Sequence, residues 1–89
     1  MKIHTLKTWP LFWDSVEGGT KLFEVRENDR DFKAGDVLIL RKFDPHSQQY
    51  PLNKEGVPFD MMFRVSFILH GGQLGIADGF CVMSLEPMP

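Results

Sequence analysis

Several stretches of the chain alternate apolar and polar residues with the period of a strand, and one early stretch repeats apolar residues with the period of a helix. The clearest strand pattern is Met61, Phe63, Val65, Phe67 and Leu69 set against Asp60, Met62, Arg64, Ser66 and Ile68. His70-Gly71-Gly72 ends it, and Phe63 and Phe67 are expected in the core. Ile3 to Lys7 predicts a short first strand. Leu22 to Glu27 predicts another, with Phe23 and Val25 on one face and Leu22, Glu24 and Arg26 on the other. Val37 to Phe43 begins with four apolar residues, the pattern of a strand covered on both sides. Phe80 to Leu85 predicts the last strand.

The helical signal lies between the first two strands. Trp9, Phe12, Trp13 and Val16 fall at i, i+3, i+4 and i+7, which places both tryptophans on the core side. Thr8 or Trp9 caps this helix, Pro10 suits its first turn, and Gly18-Gly19 supplies the left-handed residue that ends it. Its C-terminus then points at Lys21. Asn28 to Asp31 is a polar turn, and Phe32 folds back on the core. Lys33-Ala34-Gly35-Asp36 is a tight turn with Gly35 at positive φ. Residues 44–58, with Pro45, Pro51, Gly56 and Pro58, form a long loop or loose hairpin pinned by Tyr50 and Leu52. Residues 73–79 form a glycine-containing loop. The order β-α-β-β-loop-β-β, with short antiparallel strands, predicts an α+β, mainly β domain over residues 1–89. Its expected form is a small, partly open barrel with the helix plugging one end.

Composition narrows the function classes. With 89 residues and 43% hydrophobic content there is one core and no second lobe. The net charge is −2, divided as +1 over residues 1–43 and −3 over the remainder. Neither part is the strongly basic surface that phosphate neutralisation demands. One cysteine, Cys81, excludes an internal disulfide and sits in an apolar run, where a buried inert thiol is expected. No apolar run approaches the ~20 residues of a membrane span, so the chain is read as cytoplasmic with no membrane partner. His4, His46, His70 and Cys81 show no metal-ligand spacing, and no cofactor motif is present. Gly71-Gly72-Gln73-Leu74-Gly75 lacks the lysine and the following helix of a phosphate loop.

Lys21, Glu24 and Arg26 are the candidate site. Lys21 follows a helix C-terminus, where the dipole favours a cation, and Glu24 and Arg26 share one strand face. One acid and two bases converging under a helix suit an anionic or polar planar ligand. The competing structural reading is an ion pair that lets a polar strand face pack. Asn28, Asp29 and Arg30 would form the rim, and His4 and Lys7 neighbour the cluster across the sheet.

Gly19-x-Lys21-x-x-Glu24-x-Arg26, after a short helix and before the Gly35-Asp36 turn, resembles the ASCH family, which has a PUA-like small β-barrel. Residues His4-x-Leu6-Lys7, Phe23-Glu24-Val25-Arg26-x-Asn28-Asp29-Arg30-Asp31-Phe32-x-x-Gly35-Asp36 and Val65-x-Phe67-Ile68-Leu69 look like its DUF3850 branch of small bacterial and phage proteins. The resemblance implies an RNA or modified-nucleoside ligand in the cleft between helix and barrel. It also implies an alternative activity, deacylation of N4-acylated cytidine by Lys21, although Glu24 stands where that motif has a threonine. A third reading is a phage or bacterial factor whose partner is a protein. Binding ranks above catalysis, because a carboxylate three residues from Lys21 replaces the hydroxyl the chemistry uses.

Overall fold

A computed structural model describes residues 1–88. Its elements are β1 (Ile3–Thr8), α1 (Pro10–Glu17), β2 (Phe23–Glu27), β3 (Val37–Lys42), β4 (Asp60–His70) and β5 (Phe80–Pro87). Each expected strand forms within two residues of its sequence bounds. Trp9 is extended (φ −64°, ψ 150°), and Pro10 opens the helix. Gly18 N–H bonds Asp14 O, and Gly19, at φ +80°, turns the chain so that Thr20 and Lys21 N–H both donate to Ser15 O at 3.0 Å. Lys21 is thereby placed against the end of α1.

The strands form one sheet in the order β1-β3-β4-β5-β2. Pairing is antiparallel except between β1 and β3, which run parallel. The expectation of antiparallel strands fails there because α1 and β2 lie between the two in sequence, a crossover rather than a hairpin. β1 and β2 are the outer strands, and the sheet curls until they approach. On β1, Lys2 O and Thr8 O accept from Val37 and Phe43 on the β3 side. The odd-numbered carbonyls alternate to the opposite edge. There Lys7 O accepts from Arg26 Nη2 and Thr5 O from Arg30 Nη1, both at 2.8 Å. Two arginine side chains thus bridge the seam where a barrel would have strand pairing. The result is a half-barrel, mainly β, with one short helix packed against it.

The core gathers Leu6, Trp13, Val16, Phe32, Leu38, Leu40, Phe63, Val65, Cys81, Met83 and Leu85. Val37, Leu38 and Leu40 are all buried, as expected of a doubly covered strand. Cys81 is fully buried, and that burial pushes its thiol pKa up. Tyr50 holds the 44–58 loop by an edge-on contact with Phe43 at 5.1 Å, whereas Leu52 is exposed and contributes only a backbone bridge to Pro58.

Three expected core positions are solvent-facing. Phe67 is 60% exposed, although Phe63 is buried. The β4–β5 register shifts between Val65 and Phe67, and this bulge resets the alternation, so Ile68 packs against the core instead. Phe67→Ser is therefore expected to change the urea unfolding free energy by only about 0.5 kcal/mol. Trp9 is the second misplaced residue, at 52% exposed, with its neighbour Phe12 at 43%. Trp9 precedes the helix and so does not lie on its face. The helix turns the Trp13–Val16 ridge toward the core, which leaves Trp9 and Phe12 one turn back and uncovered.

Candidate ligand-binding cleft

Uncovered aromatics, the end of β1 and the edge of β2 enclose a cleft of about 740 Å³. That is the size of a small-molecule site, ~300–1,000 Å³. α1 contributes one wall through Leu11, Phe12 and Ser15, with Trp9 just before it. β2 contributes the other, and Lys7 and Thr8 lie at the β1 end. Because β2 is an edge strand, residues from both of its faces reach the cleft.

The period-two alternation of β2 puts its charges inward and its apolar residues outward. Glu24 is buried, and Phe23 and Val25 are exposed. Glu24 Oε1 accepts from Lys21 Nζ at 2.8 Å, and Oε2 accepts from Arg26 Nε at 2.9 Å. Lys21 Nζ also donates to Phe23 O at 2.6 Å and lies over the rings of Phe23 and Phe12, 4.9 and 5.5 Å from their centroids. The three side chains form one connected network, and that network lies in the wall of an open cleft. An ammonium has three N–H and a guanidinium five. Among the described residues Lys21 uses two and Arg26 uses two. One ammonium and three guanidinium protons stay uncommitted.

Residues 3–85 match the family described as a domain of unknown function, DUF3850. The chain belongs to the DUF3850 family. No match is found among curated proteins.

Not every residue singled out in this DUF3850 chain reaches the cleft. Lys7, Lys21, Glu24 and Arg26 do, with the Lys7 ammonium 4.5 Å from the centroid of the Phe43 ring. Asn28, Asp29 and Arg30 do not line it. Asn28 Oδ1 accepts the Phe32 N–H at 2.8 Å, which is turn chemistry, and Arg30 is the seam tie already described. His4 faces the opposite side of β1 from Lys7, as period two requires. Its Nε2 donates to Asp36 Oδ2 at 2.9 Å, and its ring packs edge-on against Phe32. Both His4 and Asp36 are buried. Burial pushes the Asp36 pKa up, but hydrogen bonds from His4 and from the N–H groups of Lys2 and Lys33 outweigh it, so the net shift is downward. This pair is a tie between β1 and the turn before β3. The aromatic cleft residues that sequence reasoning missed are Trp9, Phe12 and Phe23. The available signals were that Trp9 precedes Pro10 and that Phe23 lies on the strand face opposite Glu24 and Arg26.

Proposed function

We propose that the cleft binds a nucleobase-containing ligand, either RNA or a modified nucleoside, and that the half-barrel is an ASCH-type, PUA-like fold. The carrying observation is the exposed aromatic surface of Trp9, Phe12 and Phe23 beside the uncommitted donors of Lys21 and Arg26. Aromatic faces stack on planar bases, and guanidinium N–H groups pair with base-edge or phosphate oxygens. Glu24 orients both cations. It holds the position of the deacylase threonine with both oxygens occupied, which supports recognition over hydrolysis.

Trp9 supplies its own probe. Ligand stacking is expected to quench its fluorescence over a constant background from buried Trp13. Phe12→Ala is expected to weaken nucleoside or RNA affinity about tenfold, the value of one stacked base. Because Phe12 is half exposed, its unfolding midpoint should barely move. If neither nucleosides nor short RNAs change the fluorescence or the heat of titration at low salt, the reading fails.

A further inference from the structure

Glu24 is the only acidic residue lining the cleft among the described residues, and its oxygens are taken by Lys21 and Arg26. With Lys7, the lining carries two more positive than negative charges. This excess is local. The chain that leaves β2 carries Glu27, Asp29 and Asp31 against Arg30, α1 carries Asp14 and Glu17, and the whole protein is at −2. A polymer held through its backbone needs cations spread along successive phosphates. Here the donors are confined to one pocket, and the segments flanking it would repel a continuing phosphate chain.

The free charged groups are also of one kind. Lys21 and Arg26 offer only N–H donors, and each Glu24 oxygen already accepts from one of them. Such a set calls for an acceptor-rich, charged group. An apolar aromatic wall next to it calls for a planar body. The volume of about 740 Å³ accommodates one base, one sugar and one phosphate.

We propose that the cleft takes a mononucleotide, with its base on the Trp9–Phe12 surface and its phosphate on the free donors of Lys21 and Arg26. The assignment rests on the nucleobase reading and deepens it. A charge-assisted contact from these donors makes a nucleoside monophosphate bind roughly tenfold or more tightly than its nucleoside.

The test is a titration of the unaltered protein with the four ribonucleosides, their 5′- and 3′-monophosphates, inorganic phosphate and a hexauridylate, at low and at physiological salt. The expected result is a gain from the phosphate in one monophosphate series, with the hexamer no tighter than the best monomer. Lys7→Gln, which removes one positive charge from the cleft lining, is expected to reduce the phosphate gain. Equal affinity for nucleosides and monophosphates overturns the proposal, as does affinity that climbs with oligomer length. Both of those outcomes retain nucleobase binding. Binding of inorganic phosphate alone, with no gain from any base, overturns the nucleobase reading as well.

Discussion

Glu24→Ala is expected to lower the unfolding free energy by about 3 kcal/mol, read from urea midpoints at constant slope. The value is the lower end for removing one member of a buried ion pair, because Lys21 and Arg26 keep some contact with water. Without the carboxylate, two cations are held close together with no counter-charge, and the cleft loses its organising group. A second variant separates stability from purpose. Replacing the network by apolar residues, Lys21→Met with Glu24→Leu and Arg26→Met, is expected to recover most of the loss, since such networks return little more than their desolvation cost. The same triple variant is expected to bind no nucleotide. If it were as unstable as Glu24→Ala, the network would be a structural brace.

This network was legible in the sequence for a simple reason. Period two fixes Glu24 and Arg26 to one face of β2, and Gly18-Gly19 fixes the helix end that delivers Lys21. All three are local in the chain. The strands were legible for a similar reason, since β2 and β4 are alternating runs and β3 and β5 short apolar runs, each bounded by local turns. What was not legible depends on distance. Arg30 reaches Thr5 across 25 positions, and His4 reaches Asp36 across 32. No local pattern marks either pair. The parallel pairing of β1 with β3 depends on where the chain returns after β2, which hydrophobic period does not encode. Trp9, Phe12 and Phe67 show a further limit. Apolar character marks a residue that can be buried, but the helix boundary at Pro10 and the bulge after Val65 decide whether it is. In the first case the misplacement matters, because the aromatic surface so exposed lines the cleft.

Asp36→Ala is the other substitution with a large expected effect, about 2–3 kcal/mol. Its carboxylate accepts from Lys2 N–H at 3.0 Å, Lys33 N–H at 3.1 Å and His4 Nε2 at 2.9 Å. Alanine leaves the His4 donor unsatisfied in a buried setting and the Lys2 and Lys33 N–H groups unsatisfied in a partly buried one. It also releases the start of β1, an outer strand whose far end carries Lys7 and accepts the Arg26 tie. Loss of ligand affinity should therefore accompany loss of stability, although Asp36 lies outside the cleft. The pH dependence has a definite sign. The folded-state pKa of Asp36 is lowered below the ordinary 3.8, because hydrogen bonds to its charged form outweigh burial. The unfolded chain therefore binds more protons at this residue as the solution is acidified. The contribution of Asp36 is complete above its unfolded value and is lost as pH falls through the lower folded one. The gap between wild type and Asp36→Ala should narrow below about pH 4. Urea titrations across that range measure it, and a gap that stayed constant into acid would show that the tie does not depend on the carboxylate charge.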